Sequence, residues 1–428
     1  MSRFSPVRKL DVYRRLSSGQ RVAVGTLAQN ARTVFFQYDS GYVRSFANLS
    51  PFALKFDSSL QQAPDAPHGG LHGVFADSLP DGWGLLLMDR VFRQHGVLPQ
   101  QLTAMDRLAY VGSRGMGALE YWPISEYSPA SDANQVNMAE LGVQAQALFD
   151  GRTTEVLGQL AQVGSSAGAR PKAQVYLQPQ DLQQGSTTEQ QGLEPWLVKF
   201  TSSSLALGHE EGLCEAAYLT LAQHAGIDIP EWQLIPAPAS SGAQAWLALK
   251  RFDCTQAGGR YHLHSLGGLL DADFRMPSMD YEDLIKASSL LCKSPAAGQA
   301  QFRRAVFNLL ALNQDDHTKN WAFIQDDKGA WQPAPFYDVT FSPNPQGEHS
   351  TAFCGYGKSP SLKAMQQLAK QASFASWQDA QDILREVAEM LTGWDQVSRE
   401  LGVSKENRRL IADQLYTVRQ QNCHLLDG

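Results

Sequence analysis

The sequence lacks a basic excess. Its formal net charge is −7, so the positive footprint of a broad nucleic-acid reader is missing, and any DNA contact would have to run through a basic partner. Cysteine is sparse. Cys214, Cys254, Cys292, Cys354 and Cys423 are odd in number and form no C-x-x-C pair, which argues against a disulfide framework or zinc ribbon and for a reducing cytoplasm. No apolar run approaches the roughly 18 residues of a membrane span, and the opening "MSRFSPVRKLDVY" has no apolar signal-peptide core. No internal repeat is visible. What remains is an ordinary globular composition over 428 residues, enough for two or three domains.

The pattern divides into three parts and predicts an α+β fold. Residues 1–125 read as a β-rich front module. "RVAVGTLAQNARTVFFQYD" supplies β-branched and aromatic runs between turns, "VFADSLPDGWGLLLMDRVF" a turn opening an amphipathic helix, and "ALEYWPI" a further strand. The polar "SEYSPASDANQV" marks a boundary. Residues 126–254 read as a mixed α/β unit. It has strands in "AQVYL", "PWLVKF" and "AWLALKRFD", an exposed Gln-rich loop over 178–194, and a helix before Gly226. Residues 255–428 read as mainly helical, with Ile383, Val387, Met390, Leu391 and Trp394 as a core stripe.

The segment "LNQDDHTKNWAF" carries chemistry. Asp315 and Asn320 have the spacing of a kinase catalytic loop, in which Asp accepts a hydroxyl proton and Asn holds magnesium. "PFYDVTFS" adds Asp338 after an expected strand "AWQPAPFYD", and Mg²⁺ wants such hard oxygen ligands. Lys199 lies on the strand "PWLVKF", where a lysine can offset phosphate charge, and Glu215 on the next helix, where its pairing acid belongs. "GSSAGARPK", with Gly168 and Ala169, is small enough for backbone N–H groups to approach phosphates. Loop, lysine, helix glutamate, base, asparagine and metal aspartate follow kinase order. Lys319 stands where it could touch the transferring group, and His317 beside ATP as a brace rather than a base. Asp316 reads as a solvated or loop-capping acid. His262 and His264 in "RYHLHS" read as structural, since no third metal-ligand motif accompanies them.

"NQDDHTKNW", "PFYDV", "SSAGARPK", "WLVKF" and "LKRFD" together resemble the HipA family of serine/threonine kinase toxins, and "FADSLPDGWG" and "LAYVGSRGMGALEYWP" resemble its front subdomain. The resemblance implies a bilobal protein-kinase-like fold, ATP with Mg²⁺, and a small helix-turn-helix antitoxin of the HipB type that binds operator DNA. It also implies a protein substrate in translation, often an aminoacyl-tRNA synthetase. By position, Asp315 matches the catalytic aspartate, Asn320 and Asp338 the magnesium ligands, and Lys199 the ATP-binding lysine. Lys172 ends the phosphate loop. Lys250 and Phe252 fall on the segment whose backbone meets adenine, and Asp253 follows near the ribose. Ser165 matches an autophosphorylated serine, with Ser166 offering a neighbouring hydroxyl. The motifs leave open a small-molecule kinase and a non-catalytic kinase-like co-repressor.

Overall fold

The computed structural model describes residues 4–30, 33–129, 134–153, 158–163, 168–276 and 279–427. Period-two alternation along the strand Lys9–Arg15 turns Leu10, Val12 and Arg14 to one buried face. That strand pairs antiparallel with Arg21–Gln29 and Leu119–Trp122, and Val34–Tyr38 and Gln61–Gln62 complete a five-stranded front sheet. Its core gathers Leu10, Val12, Phe36, Tyr121 and Leu108.

A six-stranded antiparallel sheet forms the middle. Its order is Trp232–Pro236, Ala245–Lys250, Glu194–Lys199, Lys172–Gln178, Asp181–Ser186 and Gln135–Asn137. Asp181–Ser186 corrects the expected 178–194 loop. The Gln-rich run lies on an outer strand whose side chains are mostly half-buried or exposed, so polarity does not bar it from pairing. Gly185 permits the pairing, because a Cβ there would meet the Tyr176 carbonyl oxygen at 2.1 Å. The core behind this sheet holds Val175, Trp196, Val198 and Trp246. It also takes Trp83, Leu87 and Phe92 from the helix Gly82–Gln94, so front residues build the middle unit's interior.

The third part is helical around Tyr281, Phe307, Leu384, Val387 and Trp394. Pro295 opens the helix Pro295–Ala311 at a position where its missing N–H costs nothing. Ser376 and Asp379 close a capping box on Trp377–Leu391. The helix Glu211–His224 leaves the middle sheet and buries Leu213, Ala217 and Leu221 in this same core. A three-stranded sheet, His262–Ser265, Ala322–Gln325 and Trp331–Pro333, faces the cleft. The last strand is shorter than "AWQPAPFYD" suggested, since Pro333 and Pro335 offer no N–H to a ladder.

The front unit is bonded to both others. The buried Arg14 guanidinium donates to Gln325 Oε1 (3.1 Å) and to the carbonyls of Gln325 (3.2 Å) and Asp326 (2.8 Å). Asp77 accepts from Ser265 N and Oγ, each at 2.6 Å, and lies 2.6 Å from His264 Nδ1. His262 Nε2 meets the Leu49 carbonyl at 2.9 Å, so both histidines serve these seams. Among the described residues no helix is long and apolar enough to cross a membrane.

Candidate active site

The loop after Pro295–Ala311 turns sharply, with Leu312 in the left-handed region at φ +55°. Asp316 then anchors it. Its Oδ1 accepts from Ser350 N (2.8 Å) and Thr351 N (3.2 Å), and its Oδ2 accepts from Tyr281 Oη (2.5 Å) and sits 2.9 Å from His349 Nδ1. Of the two expectations for Asp316, the solvated acid is corrected and the loop-capping acid holds: it is buried and accepts loop amides, because four partners replace its water. The anchor leaves its neighbour Asp315 pointing outward, with 66% of its side chain exposed. Asn320 donates its Nδ2 to the Asp315 carbonyl at 2.7 Å, which commits the amide nitrogen and leaves the oxygen for a cation. His317 accepts from Lys319 N at 3.3 Å and stands 3.7 Å from the Asp315 carboxylate, a brace on the loop.

Lys172 and Lys199 are register partners on neighbouring strands, so two ammonium groups enter the cleft side by side. Lys199 donates to Glu215 Oε1 at 2.6 Å and also to Asp338. Burial opposes the charge on Lys199, yet Asp338 and Glu215 outweigh it and hold its pKa above the ordinary value. Burial likewise pushes Glu215 up, against the pull of Lys199. It would raise Asp338 too, but Lys199 and Lys172 hold that carboxyl well below the usual range. For Lys172 burial dominates and lowers its pKa. Asp338 keeps 36% of its side chain open to the cleft and has φ +54°, a left-handed conformation rare for a non-glycine residue.

These walls enclose a cavity of about 550 Å³, a size suited to a nucleotide. Asp315, His317, Lys319, Asn320, Asp338, Lys199, Lys172, Gly168 and Ala169 all line it. Its apolar end is built by Leu249, Phe252, Leu263, Ala322 and Tyr337, with the Phe252 and Tyr337 rings stacked at 5.8 Å. Lys250 sits at that mouth, paired with Glu194 (2.9 Å) and Glu231 (3.3 Å). Asp253 is a correction. Its carboxylate is fully buried against Arg251 (2.6 Å) and the Gly117 amide (2.7 Å), outside the cavity, because a guanidinium two residues away captures it. Ser165 and Ser166 lie outside the described residues.

No group of three or more His, Cys, Asp or Glu suited to a metal occurs among the described residues. The donor set fits magnesium all the same. One carboxylate and one amide oxygen lining the same cavity suit an ion that keeps several waters, and the Lys199 ammonium at Asp338 shows that the carboxylate attracts a cation.

Two polar residues were given no role by the sequence reading. Asp81, from the turn "LPDGWG", enters the cleft and accepts from Lys319 Nζ at 2.7 Å. Arg170, inside the phosphate-loop motif, pairs with Glu211 at 2.7 Å. Neither has a spacing signal. The proline–aspartate–glycine turn itself was the available clue.

A strand lysine paired to a helix glutamate, facing an Asp–Asn loop and a further aspartate, defines a kinase-like protein. Residues 18–122 match the HipA N-terminal domain and residues 164–394 the HipA-like C-terminal domain. The chain belongs to the HipA family. Its fold is similar to HipA in the Shewanella oneidensis MR-1 complex of HipA, HipB and operator DNA, with TM-score 0.67 at 18% identity over 97% of this chain and 96% of that one. The Putative kinase Y4dM of Sinorhizobium fredii is 31% identical over 183 residues, 40% of this chain and 43% of that protein, so the chain spans less than half the length of this curated relative.

Proposed function

We propose that the chain is an ATP- and Mg²⁺-dependent serine/threonine protein kinase. The observation that carries this reading is the convergence of Asp315, Asn320 and Asp338 on one cavity with the Lys199–Glu215 pair. Asn320 and Asp338 would hold magnesium, which would supply charge to offset the phosphates. Lys199 and Lys172 neutralise the phosphates, the apolar end takes the base, and Asp315 orients the acceptor hydroxyl and receives its proton. Little covalent chemistry falls to the protein, so positioning and charge do most of it. The exposure of Asp315 supports an acceptor arriving from solvent, as a loop of another protein would, over a small molecule enclosed in the cavity.

Family membership and the likeness to a HipA solved with HipB and operator DNA support a toxin role, with a HipB-like helix-turn-helix antitoxin making the DNA contact. The net charge of −7 agrees with that division of labour. The protein substrate in this reading belongs to translation, an aminoacyl-tRNA synthetase being the first to test. A phosphate on Ser165 or Ser166 would add close to two negative charges to the phosphate-loop segment and, by repulsion from ATP, turn the enzyme off.

The purified chain with radiolabelled ATP, Mg²⁺ and cell extract tests the reading. A labelled protein band, absent with Asp315→Asn, is expected. Labelled small molecules, or no turnover, would overturn it. Mass spectrometry of the 164–172 peptide decides the autophosphorylation.

A further inference from the structure

Asp81 stands at the N-terminal cap of the helix Gly82–Gln94, yet its carboxylate makes no capping bond. An aspartate there ordinarily accepts from the second or third amide of its own helix. Here both oxygens turn away to other parts of the chain. Oδ1 accepts the Gly168 amide, at the described start of the phosphate-loop segment, and Oδ2 accepts Lys319 Nζ at 2.7 Å, on the catalytic loop. The next residues extend the grip. Trp83 N donates to the Gly168 carbonyl (2.9 Å), and Trp83 Nε1 donates to the Lys172 carbonyl (2.9 Å).

The approach is close enough to dictate sequence. A Cβ on Gly82 would meet Ala169 Cα at 2.6 Å and the Gly168 oxygen at 2.7 Å, and Gly82 also has φ +45°. Backbone cannot yield as a flexible side chain can, so glycine is required at this crossing. On the other side Lys319 is held from below as well, its ammonium 4.3 Å from the centre of the Phe274 ring. Burial opposes the charge on Asp81, but the Lys319 ammonium outweighs it and keeps the carboxyl below its ordinary value.

We infer that Asp81 is a positioning residue for phosphoryl transfer: from the front unit it holds the phosphate-loop backbone and Lys319 at fixed places around the nucleotide's phosphates. The kinetic part of this inference rests on the kinase reading above. The structural part does not. Asp81 touches no reacting atom. It spends its two oxygens on segments that approach the phosphates from opposite walls, so a neutral side chain loses the charge assistance to both and a shorter one releases both.

Hydrogen exchange on the full chain without nucleotide tests the structural part. Asp81→Asn should speed exchange across residues 168–172 by about tenfold, the loss of one charge-assisted bond, and leave the strands Glu194–Lys199 and Ala245–Lys250 unchanged. Unchanged exchange at 168–172 overturns the inference. Should Asp81→Asn loosen the whole chain, Gly82→Ala keeps the carboxylate and pushes the turn off the loop; it must open the same peptide alone, or the inference falls. With ATP as the probe, Asp81→Asn should raise KM about tenfold and lower kcat less, a split that a general loss of stability would not produce. A lowered Tm with KM unmoved counts against it. A wild-type chain that transfers no phosphoryl group defeats the kinase reading, and the exchange experiment still decides the tether.

Discussion

The two walls of the cleft are held in different ways. The wall bearing Asp315 and Asn320 is fixed largely from within its own lobe, with Lys319 between them linked to Asp81 of the front unit. Asp316 takes four partners there, and Trp321 and Thr351 donate to its carbonyl at 3.0 Å and 2.5 Å. The wall bearing Gly168 and Ala169 takes its anchors from the front unit, through Asp81 and Trp83. On the kinase reading, catalysis needs the first wall rigid, and the second must admit a nucleotide; a wall held by borrowed bonds can be released without unfolding a core. That reading would put rigidity where the acceptor is aimed and a clasp where the phosphates enter.

Substitutions can break this comparison, and the largest effect should come from the rigid wall's free acid. Asp315→Ala should cut phosphoryl transfer about 10³-fold, some 4 kcal/mol of barrier, while Tm moves by no more than about 2 °C, because the side chain is exposed. A matching fall in Tm would mean that Asp315 also supports the wall. One position along, Asp316→Ala should remove about 3 kcal/mol of stability in urea titration, since Tyr281, His349 and two amides lose their partner in a buried place. An unchanged midpoint would show that this wall is no better anchored than the other.

Asp338 sharpens the contrast through pH. Its folded pKa is depressed, so the stability it contributes is fully present above its ordinary carboxylate value near 3.8 and is lost as pH falls through the folded value. The gap between wild type and Asp338→Asn should therefore be full at neutral pH, about 1 kcal/mol after solvent screening, and shrink below about pH 4. A gap that grows in acid would reverse the sign of the assigned pairing. Lys250→Ala should matter least. Its ammonium already serves Glu194 and Glu231, so KM for ATP should change by no more than about twofold. A larger change would place that side chain among the contacts to the base.

The cleft was more legible in the sequence than the bonds that hold it. Asp315, Asn320, Lys199, Glu215 and Asp338 could be picked out because each sits at a spacing or on an element type that kinase chemistry demands, and the structure brings all five to one place. The strand–helix order gave the middle sheet's three central strands and the helix Glu211–His224. Asp81 carried no such mark. Its partners lie far along the chain, at 168 and 319, and contacts of that range have no periodic signature. Asp253 misled for the same reason: position beside the adenine segment suggested an outward carboxylate, and only packing reveals that Arg251 and Gly117 hold it inward. The strand Asp181–Ser186 stayed hidden because glutamine-rich composition mimics a loop.

The crossing at Gly82 sets an order of events during synthesis. Asp81 leaves the ribosome before its two partners and Asp338, the last of which follows roughly 250 residues later, about ten seconds to a minute at ordinary elongation rates. A nascent chain cut short before the Asp315 loop lacks one wall of the cleft and the Lys319 partner of Asp81. On the kinase reading, competence waits for that loop and Asp338 to emerge.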